Sequence, residues 1–185
     1  MVEPSNYIDY KLDLPRIPDN LLFTTPTEIR ENCELKWDAY VYKTYLAPQE
    51  LYDWVYTQES IQRELRMYIE DHLQIRYQVM TEQLPIHQDA DAKGVDWVLN
   101  YHIDLGGPEV YTRWWDMPED FKGKFVEGSF DYHMGDYYDE TKKLHEEMIP
   151  THTWHRLRVD IPHDIGRIST PRFGLRMWNS WIGQS

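Results

Sequence analysis

Apolar and polar positions change period several times along this chain, and the changes divide it. Residues 1–30 hold short apolar pieces, Tyr7-Ile8-Asp9-Tyr10 and Leu21-Leu22-Phe23, among four prolines; they read as extended arms or edge strands, because proline cannot donate to a central ladder. Residues 36–45, rich in β-branched and aromatic side chains, read as a strand. Ala47-Pro48 opens a helical stretch. Leu51, Trp54 and Val55 stand at i, i+3 and i+4, and Ser60 reads as the N-cap of a second helix carrying Ile61, Leu65, Tyr68, Ile69 and Leu73 on one stripe. That stripe is expected to pack on a sheet.

From Gln74 the period becomes two. Ile75, Tyr77 and Val79 alternate, and the strand pattern runs on to Asp89. A turn at 90–94 leads to a strand at 95–103, Gly106-Gly107-Pro108 makes a tight turn, and residues 109–115 return as another strand, a hairpin-like pattern. Residues 116–150 are polar, aromatic and irregular, with a short helix expected in Asp139–Met148; a connection of that length is expected to carry function or to move. Residues 151–163 alternate as a strand, and 167–178 supply the last. Helices first and many short strands after predict a mainly β, α+β domain built on a sandwich or small barrel.

Length and composition narrow the class. At 185 residues the chain is expected to be one domain, 1–185, with an arm to residue 46, helices over 47–73 and a β core over 74–178. The net charge of −13 disfavours nucleic acid and anionic membrane surfaces as partners. The aromatic share of 15% suits half-buried sheets and cleft walls. Cys33 stands alone, so an internal disulfide is excluded, and a structural thiol in a reducing compartment is expected. The N-terminus lacks the basic start and apolar core of a signal peptide, and no apolar run approaches membrane-spanning length. A soluble, cytoplasmic protein is the expectation.

The chemistry gathers in Leu84–Arg113. His87 and Asp89 are two apart, so on a strand they share a face, and an imidazole beside a carboxylate is two thirds of a non-haem iron site. Chance alone supplies about one such triplet in a chain of this composition, and there is a second, His102-Ile103-Asp104. His87 lies at a strand end, where a side chain can reach a barrel mouth. His102 lies mid-strand, where a hydrogen-bonded histidine is the better expectation. A third ligand is sought on a distant strand, at His163 or His155. Two arginines, Arg172 and Arg176, share a face of the last strand. A guanidinium offers a carboxylate two parallel hydrogen bonds and is costly to bury without an anion.

Leu84-Pro85-Ile86-His87-Gln88-Asp89, Trp97–Tyr101, Tyr111–Trp115, Leu157–His163 and Arg172–Arg176 together resemble the 2-oxoglutarate/Fe(II)-dependent dioxygenases of the double-stranded β-helix (jelly-roll, cupin-like) fold. The likeness is greatest to short prolyl-hydroxylase-like or aspartyl/asparaginyl-hydroxylase-like members of bacteria and phages. It covers a little over half the chain. It implies iron held by His87, Asp89 and His163, and Arg172 on the far carboxylate of 2-oxoglutarate, with O2 consumed, succinate and CO2 formed and a C–H bond of a peptide or small molecule oxidised. It prefers His163 and Arg172 over the rival pair His155 and Arg167. Tyr101, Asn100, Thr112 and Arg113 are expected to wall the co-substrate pocket. Tyr111, Trp114 and Trp115 are candidates for the substrate cleft. The 116–150 insert matches nothing in that family. The alternatives are a cupin-like metalloprotein that uses no 2-oxoglutarate and a non-catalytic jelly-roll binding or structural protein.

Overall fold

The alternation in the longest strands separates a buried face from a partly buried one. A computed structural model of the protein describes residues 6–10, 12–38, 41–65, 73–89, 97–116, 124–125, 131–133 and 139–179. In β4 (Leu73–Met80) the apolar residues Ile75, Tyr77 and Val79 turn one way. β6 (Trp97–Asp104) sends Leu99, Tyr101 and Ile103 the same way, and β13 (Arg172–Asn179) sends Phe173, Leu175 and Met177. These residues meet Ile29 of α1 (Pro26–Asn32), Leu51 and Val55 of α2 (Gln49–Tyr56) and Ile61 of α3 (Glu59–Leu65). Each such fully buried aliphatic side chain contributes about 1.5–3 kcal/mol. The helices therefore cover the outside of a sheet, and the polar positions between those apolar ones face the interior of the sandwich.

Thirteen strands are present among the described residues, in two antiparallel sheets. The seven-stranded sheet has the order β1-β11-β6-β13-β4-β3-β2 and the six-stranded sheet β10-β7-β12-β5-β9-β8. Here β1 is Ile8–Asp9, β2 Leu35–Asp38, β3 Tyr42–Leu46, β5 Leu84–Asp89, β7 Tyr111–Trp115, β8 Lys124–Phe125, β9 Asp131–His133, β10 Lys143–Glu147, β11 Trp154–Arg158 and β12 His163–Gly166. Sequential strands β4 and β5 lie in opposite sheets, as do β6 and β7, β10 and β11, and β12 and β13. Each pair is one long ribbon that crosses between the layers. The ribbons pair side by side in both sheets, which is the wiring of a double-stranded β-helix, or jelly roll. No helix among the described residues is long and apolar enough to cross a membrane.

Several sequence expectations change here. The strand pattern over 74–89 breaks at Thr81–Gln83, because the chain leaves one sheet for the other. The same crossing divides 151–163 into β11 and the start of β12. Strands β6 and β7 do not form a hairpin: Gly106 (φ 80°) and Gly107 (φ 145°) turn the chain from the large sheet into the small one. Residues 36–45 form two strands, β2 and β3, paired with each other. The helix expected in Asp139–Met148 is one 3-10 turn, Glu140–Lys142, followed by β10. The 116–150 segment thus contains a core strand of the jelly roll, hidden in sequence because an edge strand of Lys, His and Glu lacks an apolar face. Helix α3 starts at Glu59, so Ser60 lies inside it. Tyr68, Ile69 and the turn at 90–94 lie outside the described residues. Helix α1 was not expected, although Thr25-Pro26-Thr27-Glu28 spells its capping box: the Thr25 side chain accepts from Glu28 N–H, and Glu28 Oε2 accepts from Thr25 N–H.

In the arm, β1 closes one side of the large sheet along β11. Cys33 is half-buried against the helix-side core, and burial pushes its thiol up to about 11, which suits a structural residue.

Candidate metal and anion site

Strand β5 carries one residue more than its partner. Against β12, His163 pairs with His87 and Ile165 with Leu84, so β5 bulges near Pro85. Proline has no N–H to give the ladder and is tolerated at such a break. The extra residue lets Leu84 and His87 both face inward, and His87 and Asp89 then follow on the same face. His163 opens β12 directly across from His87, their rings 4.3 Å apart.

His87, Asp89 and His163 converge, with one ligand atom from each lying within 4.8 Å of the others. Asp89 Oδ1 stands 3.4 Å from His87 Nε2 and 4.0 Å from His163 Nε2. Ligand atoms about 2.1 Å from a common ion can stand no more than about 4.2 Å apart, and both pairs meet that limit. His87 Nδ1 lies 2.9 Å from Pro85 O, and His163 Nδ1 lies 2.9 Å from Ile161 O. A carbonyl only accepts, so both Nδ1 atoms carry a proton, and the Nε2 atoms are the ones turned toward Asp89. All three residues are buried. Burial, then His87, lower His163 to about 4, so its imidazole is neutral at pH 7. Burial opposes ionisation of Asp89, but the Arg176 guanidinium and the two imidazoles outweigh it and hold the carboxyl well below the usual carboxylate range. Two imidazoles and one carboxylate form a donor set that can hold a divalent metal ion.

A cavity between the sheets joins this cluster to Arg172. Arg172 is 4% exposed and has no carboxylate partner among the described residues. Its Nη2 donates to His102 Nε2 over 2.8 Å. Burial lowers the guanidinium to about 10, so it keeps its charge at pH 7. Asn100, Thr112, Gln78, Met80 and Tyr42 also line the cavity.

Other expected wall residues lie elsewhere. Tyr101 has the opposite strand parity to Asn100 and packs with Trp154 on the helix side, ring centroids 5.0 Å apart. Arg113 points away from the cavity and grips Asp164, with Nε to Oδ1 3.1 Å and Nη2 to Oδ2 2.7 Å. Trp115 donates to that same Asp164 over 2.8 Å, and Tyr111 lies under the Arg113 guanidinium. Trp114 is buried with Ile8, Val98 and Val159 beneath the N-terminal arm. None of these three aromatics lines the cavity. Of the rival pair, His155 is buried beside His102 at a ring distance of 4.7 Å, and Arg167 pairs on the surface with Glu109.

Sequence reasoning left two cavity residues without a role. Arg176 donates to Asp89 Oδ2, which leaves Oδ1 facing the histidines. His102 holds Arg172. Strand parity with Arg172 and Asn100 was the available signal for both. Its use required knowing that the polar face of these strands turns inward.

No family model matches the chain, and no curated protein sequence matches it. Solved structures with similar folds include vicilin from Corylus avellana (hazelnut), 7% identical with a TM-score of 0.42 over 86% of this chain and 37% of that one. Oxalate decarboxylase of Bacillus subtilis is 8% identical with a TM-score of 0.40, over 82% and 29%. EvdO2 from Micromonospora carbonacea var. aurantiaca, complexed with 2-oxoglutarate, is 14% identical with a TM-score of 0.45, over 74% and 66%. The chain spans well under half the length of the first two. The strand order, rather than these likenesses, defines the jelly roll.

Proposed function

We propose that this protein is an Fe(II)- and 2-oxoglutarate-dependent dioxygenase that hydroxylates a C–H bond of a small-molecule or peptide substrate, with succinate and CO2 as the other products. The observation that carries the reading is Arg172, a buried guanidinium facing the same cavity as a His/Asp/His cluster and satisfied by a neutral imidazole instead of a carboxylate. Burying an unpaired cation is costly, and an anionic ligand in the cavity removes that cost. Pairing to a structural carboxylate would have favoured a metalloprotein without 2-oxoglutarate. Separation of the three ligand side chains would have favoured a silent binding module.

Iron, when bound, would supply the redox chemistry that couples oxidative decarboxylation of 2-oxoglutarate to C–H oxidation. His87, Asp89 and His163 would hold it. Arg172 binds the distal carboxylate of 2-oxoglutarate and directs its 2-oxo acid end toward the ligand cluster. Asn100 and Thr112 present polar groups along the way, and Met80, Leu84, Leu157 and Ile165 exclude water. Arg176 keeps one oxygen of Asp89 occupied and the carboxyl ionised.

Anaerobic titration of the purified protein with Fe(II) and then 2-oxoglutarate tests this. A weak visible charge-transfer band should appear with the wild type and be lost in His87→Ala and His163→Ala. Absence of the band in the wild type, or its survival in both variants, would overturn the assignment.

A further inference from the structure

We propose that His102 is a positioning residue for anion binding, one that satisfies a donor of Arg172 without neutralising its charge. The inference rests on the co-substrate role given to Arg172 above. A guanidinium has only donors, so His102 Nε2, 2.8 Å from Arg172 Nη2, must present its lone pair. His102 is therefore neutral, with its proton on Nδ1. A carboxylate there would hold the fork equally well, but it would cancel the charge that an incoming ligand needs. An imidazole held neutral orients the fork and leaves the positive charge whole.

The surroundings are shaped for this contact. Gly174 of β13 pairs with His102 of β6, and a Cβ at Gly174 would stand 2.8 Å from His102 Cα and 3.1 Å from His102 Nδ1. Absence of that carbon lets the imidazole lie over β13 and reach Arg172 two residues away. From β11, the His155 ring packs against the His102 ring, centroids 4.7 Å apart and planes tilted by 46°, its own Nδ1 proton going to Thr153 O at 3.1 Å. Burial first, then Arg172 and then His155, lower His102 well below its ordinary value. Among the described residues, the charged or titratable groups packed on His102 are thus a cation and a second neutral imidazole, and neither competes with a ligand carboxylate. The seat selects a dicarboxylate whose second carboxyl reaches the deep end of the cavity, and it discriminates against 2-oxo monoacids.

Four proteins, all loaded with Zn(II) and titrated calorimetrically, test the assignment: wild type, His102→Gln, His102→Leu and His102→Glu. The ligands are 2-oxoglutarate, glutarate and 2-oxobutyrate, and Zn(II) affinity and thermal unfolding are measured for each protein. Gln keeps a neutral acceptor and should bind 2-oxoglutarate within about threefold of wild type. Loss of one charge-assisted hydrogen bond in His102→Leu should weaken binding roughly tenfold to a hundredfold. His102→Glu should weaken it more than a hundredfold, because the new carboxylate pairs with Arg172. Zn(II) affinity should not change across the series. Equal affinities in His102→Gln and His102→Glu would show that packing alone matters and would overturn the proposal. So would a full loss in His102→Gln in protein that unfolds at the wild-type temperature. If the wild type binds glutarate in this order of variants but shows no gain from the 2-oxo group, the anion seat stands and the oxygenase reading falls.

Discussion

Removing Asp164 tests whether Arg113 is a stabilising residue or a wall of the co-substrate pocket. Asp164 is fully buried and accepts from Arg113 Nε and Nη2 and from Trp115 Nε1. Asp164→Ala strands a guanidinium that is 8% exposed and leaves an indole N–H without its acceptor. Breaking one side of a buried pair costs about 3–5 kcal/mol, and a lost indole hydrogen bond costs about 1 kcal/mol more. Glu140 also reaches Arg113, at 3.3 Å, and can take over part of the pairing, which places the expectation near the low end, at about 3 kcal/mol. For a chain of this length that lowers Tm by about 6–12 °C. Arg113→Met should cost a similar amount, because it leaves a buried carboxylate with one donor. The double variant should cost much less than the sum of the two, with a coupling of about 2 kcal/mol or more in urea unfolding at unchanged m. In Zn(II)-loaded Arg113→Met, the 2-oxoglutarate affinity should stay within about twofold of wild type, since the side chain faces away from the cavity. Single costs below about 1 kcal/mol, additivity within about 0.5 kcal/mol, or a collapse of 2-oxoglutarate affinity in Arg113→Met would refute this reasoning.

Arg172→Met should weaken 2-oxoglutarate binding more than about a hundredfold while metal affinity is kept, because the fork and its charge both go; calorimetry on Zn(II)-loaded protein reads both constants. Gly174→Ala should cost about 1–3 kcal/mol in urea unfolding, since the new methyl would stand 2.7 Å from Tyr101 O and 2.8 Å from His102 Cα. Stability should also depend on acid. Burial lowers His155 to about 4 and His102 well below its ordinary value, so between about pH 6.5 and pH 4 the unfolded chain binds protons that the folded chain refuses. Stability must then fall as pH is lowered through that window, by up to about 1.4 kcal/mol per pH unit for each of the two histidines. Urea midpoints measured from pH 7.5 to pH 4.5 check the sign, and His155→Phe should flatten the curve.

The sequence by itself determined most of the extended segments, a helical stretch after Pro48 and which chemical groups are at hand; β10 and helix α1 escaped it. Period-two alternation is local, so β4, β6, β11 and β13 were legible, and so was the amphipathic stripe of Leu51, Val55 and Ile61. His87, Asp89 and His163 could be nominated because residue type and strand spacing constrain a ligand set. Only the tertiary structure decided which ribbon crosses between sheets and which strand face turns inward. Alternation records that two faces differ, not which one meets the helices. Here the apolar face meets them and the polar face lines the cavity, so Asn100 and His102 enter the site and Tyr101 leaves it. A one-residue bulge at Pro85 brings His87 and Leu84 to the same side, and no propensity announces it. Arg113 and Arg172 are the same residue type on strands of opposite sheets, β7 and β13. One is closed by Asp164, 51 residues away, and the other is held by a neutral histidine 70 residues away. A side chain's counter-ion is set by long-range strand pairing, and that pairing makes one arginine a brace and the other a seat for an anion.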